Sequence, residues 1–268
     1  MAAPTGRSVT IGVLALQGAF IEHQAILQKL NIKRALYVPL VRTVEDLEVC
    51  DGLIIPGGES TTIALLARLS GLLEPLREFV KTKPVWGTCA GAILLAHMAE
   101  GKKKGGQELL GGTSVKIARN GWGSQVESFA ADLKIAGLRN ANIPFKGVFI
   151  RAPVILDFSG TSSNDPPAQV LARLPSDLLP PSLTDSDHPD DPKTVVALRQ
   201  GLHLVTTFHP ELTEDSRFHE YFVKECLLPT IKHSGPTRVN GINGINGGVS
   251  GAPKSLMHGI PLNGYIWR

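Results

Sequence analysis

The chain is poor in cysteine, in excess charge and in long apolar runs. Only 3 of its 268 residues are cysteines, an odd and sparse count that provides no disulfide framework and suits a reducing cytosol. The formal net charge of +3 is too small to indicate a nucleic-acid partner. No run of about 18 apolar residues occurs, so no membrane span is expected. We therefore expect a cytoplasmic protein that binds neither nucleic acid nor membranes.

What the sequence does contain is an alternation of apolar runs and amphipathic segments. Buried strands are predicted at 9–16, at 35–40 and at 51–60, where the strand ends in a glycine-rich turn. Helices are predicted at 20–30, from Ser60 or Thr61 to Ser70, near 72–81, and directly after the strand "PVWGT". This alternation predicts an α/β fold of the flavodoxin-like type, an open, doubly wound, mostly parallel sheet with helices on both faces.

The second half of the chain predicts additions to that sheet. Six shorter apolar runs between 113 and 210 predict further strands and β-ribbons, and "EDSRFHEYFVKECLL" at 214–228 predicts a closing helix.

The chain is predicted to form one domain over residues 1–232, followed by a flexible tail over 233–268. The tail is rich in glycine and asparagine, and the segment 175–193, rich in proline and aspartate, predicts a disordered insertion. His188 stands among the aspartates of the insertion, but such a segment does not favour ordered metal coordination.

Cys89 is the first candidate for chemistry. It stands in "GTCAG" (87–91), between a predicted strand and a predicted helix, and this pattern is typical of a nucleophile elbow with sulfur in place of oxygen. The partial positive charge at the start of the helix favours the thiolate. The backbone N–H of Ala90 would face the oxygen of an attacked carbonyl. The alternative is a structural cysteine in a close-packed turn.

Two further segments bear on the role of Cys89. The loop "PGGES" (56–60) also joins a strand to a helix, so Gly57 and Gly58 can face the same crevice and complete an oxyanion hole. In "TFHPEL", His209 and Glu211 are two residues apart, which places them on one face of an extended chain. Glu211 would then orient His209 as the base for Cys89. Taken singly, each segment is also consistent with an ordinary turn or strand end.

Together these segments resemble the glutaminase subunits of pyridoxal 5′-phosphate synthase, a family of class-I triad glutamine amidotransferases. The resemblance covers about residues 9–228 and rests on five motifs: "GVLALQGAFIEH", "PGGESTT", "GTCAGAILLA", "FIRAP" and "FHPELTEDSRFHEYF".

The resemblance implies roles for individual residues. Cys89 is implied as the nucleophile, with His209 and Glu211 completing the catalytic triad. Gln17 is a candidate for the partner interface or for ordering the oxyanion hole. The residues implied to bind glutamine are Gly58, Glu59, Ser60, Arg119, Ile150 and Arg151.

The resemblance also implies the reaction and the partner. L-Glutamine is hydrolysed to glutamate and ammonia without cofactor or metal, and the ammonia passes to the synthase subunit in a hetero-oligomeric complex. Two other functions are alternatives to this one. A cysteine peptidase on a related scaffold often has histidine directly after its nucleophile, whereas Ala90 follows here. A non-catalytic partner module would be expected to lack a member of the triad, yet all three residues are present.

Overall fold

Thirteen strands and seven α-helices make up the described part of the computed structural model, which covers residues 7–101, 106–119, 121, 128–159, 165–179, 183 and 190–233. The strands are β1 (Val9–Leu14), β2 (Leu36–Tyr37), β3 (Leu40–Val41), β4 (Gly52–Ile55), β5 (Val85–Thr88), β6 (Met98–Glu100), β7 (Lys116–Ala118), β8 (Ser128–Leu133), β9 (Phe145–Ile150), β10 (Val154–Asp157), β11 (Ala168–Arg173), β12 (Val195–Gln200) and β13 (His203–Thr206). The helices are α1 (Phe20–Gln28), α2 (Val44–Glu48), α3 (Ser60–Leu69), α4 (Leu73–Thr82), α5 (Ala90–Leu95), α6 (Arg217–Tyr221) and α7 (Leu228–His233).

Eight of the strands form one central sheet, in the order β11-β12-β13-β5-β4-β1-β2, with β3 also paired to β1. The pairs from β13 to β2 are parallel, and only β11 and β12 at one edge run antiparallel to their neighbours. The prediction of an open, mostly parallel α/β sheet is confirmed.

Helices cover both faces of this sheet because its strands are apolar on both sides. In β4, Ile54 packs in a core with Leu27 of α1 and Phe218 of α6. Its neighbour Ile55 points to the opposite face and packs with Ile63 of α3. Alternate residues of a strand face opposite sides, so a continuous apolar run serves two cores.

Two smaller sheets form the predicted ribbons. One has the order β10-β7-β6, and the other is the antiparallel pair β8-β9. An aromatic cluster fastens the second ribbon to the central sheet: the ring of Phe208 lies 5.9 Å from Phe145 and 5.5 Å from both Phe149 and Phe218.

Several element boundaries differ from the predictions for local reasons. The run 35–40 forms two short strands, β2 and β3, which pair with β1 on either side of Val38–Pro39. Helix α3 is capped by the side chain of Glu59, which accepts from the Thr61 N–H, rather than by Ser60 or Thr61. The predicted closing helix starts at Arg217 and contains a π-helical turn, Phe222–Leu227, between α6 and α7.

Of the segment 175–193, the structure describes the two ends and residue 183. Residues Ser176–Leu178 form a 3₁₀ turn followed by buried Leu179, and Asp191 caps a second 3₁₀ turn, Pro192–Thr194. His188 and most of the segment lie outside the described residues, as does the predicted tail beyond His233. No helix in the described ranges has both the length and the apolar character needed to cross a membrane.

Replacing Phe208 by alanine is expected to lower the free energy of unfolding by about 3–5 kcal/mol, because the ring is fully buried among three other aromatic rings. Urea denaturation followed by circular dichroism measures the change. Tyr37→Ala is the matched control, since its ring is 61% exposed and the expected loss is within about 0.5 kcal/mol. Equal losses for the two variants would contradict the assignment of Phe208 to the core.

Candidate active site

Cys89 stands on a sharp turn between β5 and α5. Its backbone has φ 47° and ψ −101°, a conformation that costs energy for a residue with a side chain and is typical of a nucleophile elbow. The turn closes because of two glycines. A Cβ on Gly87 would overlap the Gly91 carbonyl, and a Cβ on Gly91 would overlap the carbonyl oxygen of Ile55. The small neighbours that the sequence shows are therefore required by close backbone contacts.

His209 reaches Cys89 because β13 pairs in parallel with β5. Thr206 is in register with Thr88, and the Cys89 N–H donates to the Thr206 carbonyl at 2.9 Å. Three residues beyond β13, His209 lies beside the Cys89 side chain, which raises the pKa of the imidazole. The backbone N–H of His209 donates to the Val148 carbonyl on β9 at 2.8 Å, which fixes the histidine against the ribbon.

Glu211 holds the other side of the imidazole. His209 Nδ1 lies 2.7 Å from Glu211 Oε1, and the carboxylate is buried. The two residues meet through a 3₁₀ turn, Pro210–Leu212, and not along an extended strand end as the sequence predicts. Proline at the first position of this turn fixes φ near the helical value and needs no N–H donor there.

The electrostatics of the pair favour a charged imidazole. Burial lowers the pKa of His209, but hydrogen bonds and negative charge from Cys89 and Glu211 outweigh it and raise the pKa to about 10. At neutral pH the imidazole of His209 is therefore charged, with the Cys89 side chain on one side and the buried Glu211 side chain on the other.

The loop Pro56–Ser60 packs directly against this pair. A Cβ on Gly57 would overlap the imidazole of His209, and a Cβ on Gly58 would overlap the side-chain oxygen of Gln17. Gln17 Oε1 also accepts from the Glu59 N–H at 2.8 Å. Gly18, with φ +105°, lets the chain pass against the Gly57 carbonyl, which accepts from the Ala19 N–H at 3.1 Å. The segment 17–19 therefore holds this loop in place.

A cavity of about 260 Å³ opens beside the Cys89 sulfur. It is lined by Gln17, Gly58, Glu59, Ser60, Cys89, Ala90, Ile93, Arg119, Ile150, Arg151 and His209. Of the site residues that the sequence predicts, only Gly57 and Glu211 are outside this lining. Gly57 lies against the imidazole and Glu211 lies behind it.

The wall of the cavity carries an ion pair and a strained peptide. Glu59 Oε1 lies 2.7 Å from an Arg119 guanidinium nitrogen, and the Ser60 hydroxyl donates to Gln107 Oε1 at 3.2 Å. Arg151 has φ +42°, and the preceding carbonyl of Ile150 lies 3.9 Å from the Cys89 sulfur. Strain at a non-glycine residue beside a candidate nucleophile is typical of a functional site.

Sequence reasoning missed several residues of the site. Gln107 stands in no quoted motif, and Ile93 lies within "GTCAGAILLA" but was given no role. His23 and His219 lie within quoted motifs, but His219 lacks an acid two residues later, and neither was assigned a role. Both are fully buried, His23 Nε2 lies 3.3 Å from Glu211 Oε2, and His219 contacts His23. The available signal is helical spacing: His23 stands four residues before buried Leu27, on the side of α1 that faces the core, where a histidine needs a hydrogen-bond partner.

Comparison with known proteins gives a consistent result. The profile of the SNO glutamine amidotransferase family matches residues 13–228. The probable pyridoxal 5′-phosphate synthase subunit PDX2 of Arabidopsis thaliana is 46% identical over 227 residues, which cover 81% of this chain and 85% of the relative. The pyridoxal 5′-phosphate synthase subunit PdxT of Herpetosiphon aurantiacus is 45% identical, with coverage of 80% and 99%. A crystal structure of a glutamine amidotransferase superimposes with a TM-score of 0.61 at 42% identity and covers 80% of this chain and 96% of that one.

His209 is expected to stay protonated between about pH 6 and 8, because the pKa of His209 is raised to about 10. Since this value lies above the ordinary 6.5, the charged ring stabilises the fold fully below pH 6.5, and the contribution is lost as the pH rises through about 10. In Cys89→Ala the sulfur that raises the pKa of His209 is absent, so this pKa is expected to fall. ¹⁵N NMR of the imidazoles measures the pKa of His209 in the wild type and in the variant. His203 is the internal control, since burial lowers its pKa to about 4 and keeps it neutral in this range. Ordinary titration of His209 near pH 6.5 would contradict the assignment.

Proposed function

The chain belongs to the SNO glutamine amidotransferase family, and on that basis we propose that it hydrolyses L-glutamine through Cys89, His209 and Glu211. We further propose that it passes the ammonia to the subunit that synthesises pyridoxal 5′-phosphate, since its relatives carry the name of subunits of that synthase.

One observation supports the triad above all others. The Cys89 sulfur lies beside the His209 imidazole, and the imidazole is 2.7 Å from the Glu211 carboxylate, at one end of the sheet and beside a cavity. This is the arrangement that nucleophilic catalysis of acyl transfer requires.

The Glu59–Arg119 pair supports the choice of an amino acid as substrate. Glutamine carries a carboxylate and an ammonium on the same carbon, and the two side chains offer a complementary cation and anion 2.7 Å apart. We assign Arg119 to the α-carboxylate, which a guanidinium binds in a bidentate manner, and Glu59 to the α-ammonium. Ser60, Ile150 and Arg151 line the same cavity and would complete the contacts to the substrate.

The first half of the reaction forms a thioester. The Cys89 thiolate attacks the side-chain carboxamide carbon of glutamine. The carboxamide oxygen then becomes an oxyanion. Backbone N–H groups of Ala90 and of the Gly57–Gly58 turn donate to this oxygen, since the first N–H groups of α5 have no partner within the helix. The proton on His209 passes to the leaving nitrogen as the C–N bond breaks, and ammonia departs.

The second half of the reaction restores the enzyme. His209, now neutral, takes a proton from water as the water oxygen attacks the thioester carbon. The C–S bond breaks, glutamate leaves, and the imidazolium–thiolate pair forms again. Glu211 keeps Nδ1 of the ring protonated throughout, so Nε2 alone exchanges the proton.

The proposal includes a place in the cell and a role for Gln17. The thiols of Cys50, Cys89 and Cys226 are all free, which supports a reducing cytosol. Gln17 accepts from the Glu59 N–H beside the Gly57–Gly58 turn, so we assign it to ordering the oxyanion loop.

Replacing Cys89 by alanine is expected to lower glutaminase activity at least about 10³-fold, because no other group can form the thioester. Ammonia release from glutamine is measured with the cognate synthase subunit present, and formation of pyridoxal 5′-phosphate is followed in the same mixture.

Cys50→Ala is the matched control for this experiment. Burial raises the pKa of the Cys50 thiol to about 11, so it is not a nucleophile, and activity is expected within about twofold of the wild type. A glutamine-like diazoketone should label Cys89 alone. Full activity of Cys89→Ala, or labelling at Cys50, would exclude the assigned nucleophile.

Replacing Arg119 by methionine is expected to raise KM for glutamine by about 10- to 100-fold with a smaller change in kcat, because the guanidinium binds a group far from the reacting carbon. Steady-state kinetics measure both constants. Arg77→Met is the control, since Arg77 pairs with Glu74 on helix α4 away from the cavity. An unchanged KM in Arg119→Met would show that the α-carboxylate binds elsewhere.

A further inference from the structure

Behind the triad, two histidines form a fully buried pair that the proposed mechanism does not use. His23 comes from α1 and His219 from α6, and neither side chain has any exposed surface. His23 Nδ1 lies 2.9 Å from His219 Nε2, a hydrogen-bond distance. The indole of Trp86 packs edge-on against both rings, with centroids 5.6 Å from His23 and 4.9 Å from His219. The position of each ring is therefore fixed from two sides.

The pair lies next to the unused oxygen of Glu211. Oε1 of Glu211 is taken by His209, but Oε2 is buried and makes no regular hydrogen bond within the described part of the chain. The nitrogen next to it is Nε2 of His23, 3.3 Å away, which hydrogen-bonds the Thr88 hydroxyl at 3.3 Å and makes no regular hydrogen bond to Oε2. A buried carboxylate oxygen needs a donor, and His23 offers one at this position.

We propose that His23 is a positioning residue for Glu211, which presents an N–H from Nε2 to the carboxylate, and that His219 sets this tautomer by donating its Nε2–H to His23 Nδ1. The inference rests on the proposed function in one respect only, that Glu211 orients the catalytic base.

The opposite tautomer is disfavoured by the surroundings of both rings. With the proton on His23 Nδ1, the lone pair of Nε2 would face the anionic Glu211 oxygen at 3.3 Å. His219 would then carry its proton on Nδ1, a buried atom with no hydrogen-bond partner among the described residues. An orphaned buried N–H is rarer and costlier than an unused lone pair.

Both histidines remain neutral, which the proposal requires. Burial, together with the nearby His219 and His209, keeps the pKa of His23 well below its ordinary value. Burial alone lowers the pKa of His219 to about 3. The titratable groups that face His23 are thus His219, His209 and Glu211. Neutral donors hold the carboxylate in place and add no charge that would compete with the His209 imidazolium.

The consequence is that donors from two sides converge on the Glu211 carboxylate. His219 donates to His23, His23 donates to Glu211, and Glu211 accepts from His209, whose remaining nitrogen faces Cys89. When Glu211 Oε2 is held by His23, the carboxylate cannot rotate away from Nδ1 of His209. The imidazole of His209 therefore keeps its orientation towards the Cys89 sulfur.

The kinetic test compares two replacements of His23 in the full chain with its synthase partner. His23→Phe fills the space but donates nothing, so kcat is expected to fall about 10- to 100-fold with KM for glutamine within about twofold. His23→Gln carries an amide N–H close to the Nε2 position, so kcat is expected to return to within about threefold of the wild type. His203→Phe is the matched control, because His203 is also buried and neutral but lies on β13 outside this chain of donors. It is expected to lose stability without losing kcat per folded molecule.

A second measurement does not depend on activity. ¹⁵N NMR of the wild-type imidazoles should show His23 and His219 as neutral rings protonated at Nε2, from about pH 6 to 8. A His23 protonated at Nδ1, or charged, would overturn the proposal, as would a His23→Phe variant with wild-type kcat or a His23→Gln variant as slow as His23→Phe.

The two readouts separate this inference from the proposed function. If the wild type releases no ammonia from glutamine, the proposed function fails while the NMR result still decides the tautomers. If His23→Phe does not fold, His23→Gln and the wild-type spectrum decide.

Discussion

The parallel pairing of β13 with β5 is the constraint on which the rest of the site depends. It joins segments more than a hundred residues apart in sequence and sets Thr206 opposite Thr88. Because the two strands run in the same direction, both chains leave the sheet at the same edge, one into Cys89 and the other towards His209. A shift of one residue would turn every side chain of β13 to the other face of the sheet, and the apolar cores on both faces exclude this. The cores therefore determine the distance between Cys89 and His209.

Burial of charge is the second condition. The three side chains lie almost out of contact with water, with exposures of 6% for Cys89, 7% for His209 and 4% for Glu211. Single charges at such a position would be very unfavourable, and each is tolerated here because its neighbour satisfies it. The aromatic cluster around Phe208, directly before His209, excludes water on one side, and the loop at Gly57 covers the ring on the other. The same low polarity strengthens each hydrogen bond of the triad.

Features that depend on residues close together in the sequence could be predicted. The alternation of apolar runs predicted the parallel sheet, and the glycines around Cys89 predicted the elbow. What the sequence could not predict depends on contacts distant in sequence. The run 35–40 divides into β2 and β3 because its two ends pair with different parts of β1. His219 has no acid two residues later, and its partner, His23, is 196 residues away. Glu59 is predicted only as a loop residue, yet its carboxylate pairs with Arg119, 2.7 Å away, on a segment distant in sequence. Pairing and folding back of this kind are decided by packing, which no local pattern records.

The contacts of Glu59 show how a ligand in the cavity would affect the loop Pro56–Ser60. Its N–H donates to Gln17, its carboxylate caps Thr61 at the start of α3, and the same carboxylate pairs with Arg119. An amino-acid ligand that pairs with Arg119 and Glu59 must compete for the oxygen that now joins them. Because the backbone of Glu59 follows Gly58 directly, any shift of its side chain is transmitted to the peptide that lines the cavity beside Cys89. Gln17 limits that shift from the other side, since a Cβ at Gly58 would already overlap its amide oxygen. A ligand that pairs with Arg119 would therefore affect the geometry around Cys89 through one residue, in a loop that fits tightly against Gln17 and His209.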